Sequence, residues 1–239
     1  MKVLQKRSQN GKRDKPYKID KDKNPTVWGM LYNEGTSCDI SCSTLFTEAV
    51  IKCISCGNTP LVESLLASKQ VKMNQGDQNG ITPLIMAADK GYAGIVKRIL
   101  SHQDTDVNQQ DNNGYTALMW AADLGNTKVV KMLIKHQDID VNKQDADGQT
   151  ALIWAADKEY FEIVKRLCSV EKIDVNIQNN EGFSALICAA EQGYTEVVRE
   201  ILEIEETDVT LVDIDGVSAH NAALNNEHFN VVTILKKYL

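Results

Sequence analysis

Four cysteines, Cys38, Cys42, Cys53 and Cys56, follow the pattern C-x3-C-x10-C-x2-C. Thiolates at such spacings could hold a zinc ion. Little else in the chain could react. It has only four histidines, and they are scattered; His102 and His136 fall in equivalent polar links, where a solvated loop is expected. There is no G-x-S-x-G, no phosphate-binding loop with its lysine, no H-E-x-x-H and no kinase signature. The expectation is a protein without catalytic residues, bound metal or cofactor, and so not an enzyme.

A repeat positions these residues. The stretch Gly80-Ile-Thr-Pro-Leu-Ile-Met-Ala-Ala88 returns as Gly114-Tyr-Thr-Ala-Leu-Met-Trp-Ala-Ala122, as Gly148-Gln-Thr-Ala-Leu-Ile-Trp-Ala-Ala156 and as Gly182-Phe-Ser-Ala-Leu-Ile-Cys-Ala-Ala190, and in eroded form from Gly216. Every step is 34 residues. A fixed period of this size predicts a solenoid in which each unit buries its apolar face against its neighbours. The period also decides between readings of the cysteines. Cys53 lies one step before Ala87, where a small apolar residue is needed, so it is expected to pack as a hydrophobe rather than ligate metal. Cys168 and Cys188 are expected to pack likewise.

Within each unit, Asp or Asn followed three residues later by Gly predicts a tight turn. Thr82, Thr116, Thr150 and Ser184 then stand where a helix N-cap would, with Pro83 suited to a first helical position. The Ala-Ala pair lets neighbouring first helices approach. A second helix carries Ile95, Val96, Ile99 and Leu100 on one face. Four internal units are predicted, 77–110, 111–144, 145–178 and 179–212. Residues 43–76 form a degenerate N-terminal cap, in which Phe46 replaces the turn glycine and Glu48 the capping threonine. Residues 213–239 form a C-terminal cap, with polar His220 and Lys236 at positions that are apolar elsewhere.

This sequence resembles the ankyrin-repeat family, whose pattern is roughly D-x-x-G-x-T-P-L-H-x-A-A-x-x-G, an apolar helix, then D-V-N. Asp77, Gly80, Thr82, Pro83, Leu84, Ala87, Ala88, Gly91, Ile95, Val96, Ile99, Leu100, Val107 and Asn108 match it in one unit, and the resemblance covers roughly residues 43–239. The family's histidine is absent: Ile85, Met119, Ile153, Ile187 and Asn221 stand there. A six-residue link such as 101–106 explains a period of 34.

The resemblance implies an all-α solenoid of helix–turn–helix units with β-turn tips, and a concave surface, formed by tips and first helices, that binds a partner protein. The contact positions so implied are Tyr115, Trp120, Leu124, Gln149, Trp154 and Phe183, with one carboxylate per unit at Asp89, Asp123, Asp157 and Glu191. Tyr115, Trp120, Trp154 and Phe183 either form an aromatic contact strip or fill space between units. The carboxylates are either a contact row or a solvated face. The asparagine of D-V-N resembles a target of asparaginyl hydroxylation in this family. That makes Asn108, and less closely Asn142 and Asn176, candidates for modification, against the alternative that they only brace the next turn.

Charge is unevenly spread. Residues 1–23 hold nine basic and three acidic residues, a balance of +6, whereas the rest holds 17 against 30, or −13. The basic tail, 1–42, has three readings: a plain polar extension, a salt-sensitive latch over the acidic groove, or a nuclear targeting signal. A short apolar patch at 27–32 could dock on the solenoid end or on a partner. Lys97, Lys131, Lys165 and Arg199 repeat along the second helices, but the acidic body disfavours nucleic acid, so a solubilising outer face is expected. No apolar run approaches 18 residues and the N-terminus lacks an apolar core, so neither a membrane helix nor a secretory signal is expected. The overall expectation is a monomeric, non-enzymatic intracellular adaptor or scaffold in the cytoplasm, or the nucleus, that binds another protein. The alternative is a regulator, inhibitor or assembly factor that caps a partner's surface.

Overall fold

The computed structural model describes residues 42–67 and 71–239. The tail, the apolar patch at 27–32 and Cys38 lie outside the described residues. The described chain forms twelve helices in six antiparallel pairs. They are α1 (Cys42–Ser55) with α2 (Thr59–Ala67), α3 (Pro83–Asp89) with α4 (Ala93–Leu100), α5 (Ala117–Asp123) with α6 (Thr127–Leu133), α7 (Ala151–Asp157) with α8 (Phe161–Cys168), α9 (Ala185–Gln192) with α10 (Thr195–Leu202), and α11 (Ala219–Asn225) with α12 (Phe229–Leu235). First helices stack on first helices and second helices on second helices, giving two layers.

Short helices of seven or eight residues need external support, because helix nucleation is unfavourable. Thr82, Thr116, Thr150 and Ser184 provide part of it. Each has extended backbone, and its hydroxyl accepts the N–H of the residue three positions on at 3.2–3.3 Å. A cap of this kind contributes about 1 kcal/mol. Packing supplies the rest. Ala87, Ala88, Ala121, Ala122, Ala155, Ala156, Ala189 and Ala190 are fully buried, and Val96, Ile99, Val130, Leu133, Val164, Leu167, Val198 and Ile201 fill the space behind them.

The turns before the first helices are closed by side chains. Asp111 Oδ1 accepts the N–H groups of Asn113 and Tyr115, both at 2.9 Å, and Asp77, Asp145, Asn179 and Asp213 do the same in their own units. Successive turns are then tied by one backbone bond each, such as Ala146 N–H to Asn113 C=O at 3.0 Å. Gly114 sits at this seam with φ +83°, and a Cβ there would meet the Ala146 nitrogen at 2.8 Å. Further ladders run at the 34-residue interval. Gln110 Nε2 reaches the Gln144 carbonyl and Gln144 Nε2 the Gln178 carbonyl. Asn108 donates to Asp138 C=O at 2.7 Å and accepts from Asp140 N–H at 2.8 Å.

Three local features qualify the sequence reading, the second of them as a correction. First, α1 runs through Phe46 and Glu48 with no turn between them, because neither residue supplies the Asx oxygen or the left-handed glycine that opens the other units. Second, His102 and His136 are half-buried rather than solvated. Their links fold back on the preceding helix, with His102 N–H bonded to Ile99 C=O at 3.0 Å and Thr105 Oγ1 to the same carbonyl at 2.9 Å. Third, the last pair is not a uniformly polar end: Leu224, Phe229 and Leu239 are 47%, 61% and 70% exposed. Leu224 stands in register with fully buried Ala88, Ala122, Ala156 and Ala190, so it crowds the surface on which another unit would stack.

Candidate protein-binding site

The turn tips and first helices of the second and third internal units bring three aromatic rings together. Tyr115 leaves the turn just after Gly114, Trp120 projects from α5 and Trp154 from α7. The Tyr115 ring centroid lies 5.0 Å from Trp120 and 5.6 Å from Trp154, both tilted, within the range of favourable aromatic pairing. All three side chains are half-buried. They are also held: Trp120 Nε1 donates to Asp111 Oδ2 at 3.0 Å and Trp154 Nε1 to Asp145 Oδ2 at 3.1 Å.

Asp111 and Asp145 therefore each do two jobs. One oxygen closes the turn and the other fixes an indole. Asp111 and Asp145 are only 7% exposed, and three hydrogen bonds satisfy each of them there. Burial first, and then Asp145, Asp123, Asp147 and Asp111, push the Tyr115 hydroxyl up to about 12. The field around that ring is negative.

The remaining expected contact residues are placed as follows. Gln149 is half-buried beside the cluster's turn, with its Oε1 buried and unpartnered. Leu124 is 43% exposed at the end of α5. Phe183 is half-buried, but among the described residues it makes no ring contact, so it stands apart from the aromatic trio. The carboxylates are not a uniform open row. Asp89 pairs with Lys90 at 2.8 Å, and Asp123 pairs with Lys158, which reaches back from the next unit. Lys158 Nζ also lies 5.5 Å from the centre of the Trp154 ring. Asp157 is exposed and Glu191 half-buried. Burial, and then these two carboxylates, raise the Cys188 thiol to about 12, so it is not a poised nucleophile. Cys168, raised to about 12 chiefly by burial, is equally inert.

Asn108, Asn142 and Asn176 each use both polar ends of the side chain on the following link. Cys53 is fully buried in α1 and Cys56 is exposed. No metal-binding group of three or more residues occurs among the described residues, and no described helix is long and apolar enough to cross a membrane. On the second-helix face, Glu162 accepts Lys131 at 3.0 Å and Arg166 at 2.8 Å, and Lys165 lies over Phe161 at 5.8 Å. A cavity of about 400 Å³ there is lined by Lys131, Ile134, Lys135, Arg166, Ser169 and Val170, but Glu162 already engages two of its three cations.

Sequence reasoning missed two features. The Asp-to-Trp tie spans nine residues, across a turn and a helix, and a signal existed in the recurrence of Asp111 with Trp120 as Asp145 with Trp154. The Lys158–Asp123 pair links residues 35 apart, one more than the period, so only a stacked geometry reveals it.

The profile of ankyrin repeats (three copies) matches residues 23–111, 49–145, 92–179, 137–213 and 169–238, which together span most of the chain. The crystal structure of EF0377, an ankyrin repeat protein, superposes with a TM-score of 0.74 at 27% identity, covering 81% of this chain and 98% of that one. As many as 548 chains of solved structures match, so likeness of this kind fixes an architecture and names no partner. No curated protein matches the chain. Twelve helices in six stacked pairs among the described residues, the capped turns and these matches agree: the chain belongs to the ankyrin-repeat family.

Proposed function

We propose that this protein binds another protein through the face made by its turn tips and first helices, with Tyr115, Trp120, Leu124, Gln149, Trp154 and Phe183 as the contact set and Asp157 and Glu191 at its edge. It acts as a non-enzymatic adaptor in the cytoplasm, where thiols such as Cys56 stay reduced. The observation that carries this reading is the aromatic trio. Three half-exposed rings are locked by mutual stacking and by two indole–carboxylate bonds, so a partner meets a rigid surface and little side-chain entropy is lost on binding. Large aromatic anchors of this kind dominate binding energy at protein interfaces. Ankyrin repeats are in general protein-interaction modules, which agrees with this choice of face.

The test is capture of the native partner by the full chain and by a variant carrying Tyr115→Ala and Leu124→Asp. Both substitutions leave the Trp–Asp bonds intact, so cooperative thermal unfolding should be retained. Lost capture with a folded array supports the reading, and undiminished capture rejects it. Oxidation of Asn108, Asn142 or Asn176 remains a proposal for the same molecule, checked by a +16 Da shift on peptides from the native source.

A further inference from the structure

One ring of the aromatic trio, Trp154, already holds a cation, and that cation belongs to the chain. Lys158 follows α7 directly, is 38% exposed, sits over the Trp154 ring and bonds the Asp123 carboxylate of the preceding unit. An indole face beside a carboxylate is a cation-accepting pair. Around it the potential is negative: Asp145, Asp123, Asp147 and Asp111 all act on the Tyr115 hydroxyl. The hold on Lys158 can be exchanged, because the ammonium side of the pair, 38% exposed against 15% for Asp123, is open to water and salt. A guanidinium would fit the place better than this ammonium. It is planar, stacks on an aromatic ring, presents a donor fork that matches a carboxylate and is less strongly hydrated. Leu124, exposed next to Asp123, offers an apolar rim for the methylenes of such a side chain.

We propose that the Tyr115–Trp120–Trp154 cluster with Asp123 is an arginine-accepting subsite for a basic segment of the partner protein, and that Lys158 is its built-in occupant, displaced on binding. The inference rests on the partner-binding reading above and adds the partner's chemistry. Lys158 then sets a threshold, because it competes with any incoming cation and disfavours weakly basic segments.

The experiment uses the full chain and a fluorescein-labelled peptide of alternating glycine and arginine, with lysine and glutamine counterparts, followed by anisotropy at low salt. Lys158→Met removes the occupant but keeps a long aliphatic stem, and Lys97→Met on the second-helix face makes the same charge change elsewhere. Lys158→Met is expected to bind the arginine peptide about fivefold tighter than the unaltered chain, and Asp123→Asn about fivefold weaker. Lys97→Met should move affinity by less than about twofold, since it alters only the long-range field. The lysine peptide should gain less than the arginine peptide, and the glutamine peptide should not bind. Equal gains from Lys158→Met and Lys97→Met would reduce the effect to net charge and overturn the subsite; so would no gain from Lys158→Met. A nuclear magnetic resonance titration watching the Trp154 indole N–H adds a location: a shift on peptide addition supports the subsite and an unmoved resonance opposes it. The two readings fail separately. Arginine binding insensitive to Lys158 with native-partner capture lost in the Tyr115→Ala, Leu124→Asp variant sinks the subsite alone. The reverse pattern keeps arginine binding at the cluster but sinks the partner face and, with it, the assignment of the subsite to the partner.

Discussion

Units 145–178 and 179–212 have the same backbone and present different surfaces. In both, the residue opening the turn closes it identically: Asp145 Oδ1 accepts two N–H groups at 3.0 and 2.8 Å, and Asn179 Oδ1 accepts two at 3.0 and 2.8 Å. In both, a hydroxyl caps the first helix. The difference lies in the second side-chain atom. Asp145 Oδ2 pins the Trp154 indole, whereas opposite Asn179 stands buried Cys188, which asks for no such acceptor. The fold therefore uses one oxygen of the turn residue in every unit from Asp77 to Asp213. The other is free to organise a binding surface where the unit carries a tryptophan. Turn closure and indole placement share a residue but not an atom.

The severest way to break this comparison is to remove both oxygens. Asp145→Ala leaves two turn N–H groups and an indole N–H without their acceptor in a buried place, and should cost about 3 kcal/mol, read as a lower midpoint in urea unfolding. Asp145→Asn separates the atoms. It keeps the turn, as Asn179 does, but sets an amide N–H₂ against the indole N–H; the expected loss is about 1.5 kcal/mol. In a Trp154→Phe background that loss should shrink to about 0.5 kcal/mol or less, and a double-mutant cycle measures the coupling. If Asp145→Asn costs the same in both backgrounds, Oδ2 does not serve the indole.

A smaller effect sharpens the account of the backbone. Glu159 has φ +58°, where the corresponding Gly91, Gly125 and Gly193 stand between +68° and +78°. An L side chain is strained there, so Glu159→Gly should stabilise the array by about 1 kcal/mol, visible as a higher melting temperature. The same exchange in the last pair, Glu227→Gly, tests whether strain at the end is as costly as strain inside.

The smallest effect is a pH dependence. The Tyr115 hydroxyl is raised to about 12 in the folded chain, against about 10 for an unperturbed tyrosine. Between those values the folded state binds more protons than the unfolded state, so this group's contribution is complete below pH ~10 and is lost as pH rises toward ~12. Phenolate absorbance should show one tyrosine titrating late, and Tyr115→Phe should remove that component.

Much of the fold is legible in the sequence because its requirements are local and repeat. A left-handed turn needs Gly114, a helix start needs Thr116, and a close helix contact needs Ala121 and Ala122; each appears again one period on. The first helix is less legible, since α1 is specified by apolar burial of Phe46, Val50 and Ile54 without turn residues to mark its start. At the site, residue positions are readable and their states are not. Nothing local says that Asp123 is already paired, because its partner is Lys158 in the next unit. Nor does local sequence reveal that Phe183 stands outside a stack formed by Tyr115, Trp120 and Trp154. Those facts come from stacking one unit on another.

The central claim is that the turn-and-first-helix face, and not the second-helix face, meets the partner. Site-specific photo-crosslinking tests it most directly, with a photoreactive amino acid replacing Gln149 on one face or Lys165 on the other in the full chain. Both positions lie in the same unit, so local stability is matched, and thermal unfolding checks that both proteins fold. The account predicts a discrete adduct with one partner from position 149, abolished by Tyr115→Ala with Leu124→Asp, and none from position 165. An adduct from position 165 alone, with position 149 silent, would contradict it.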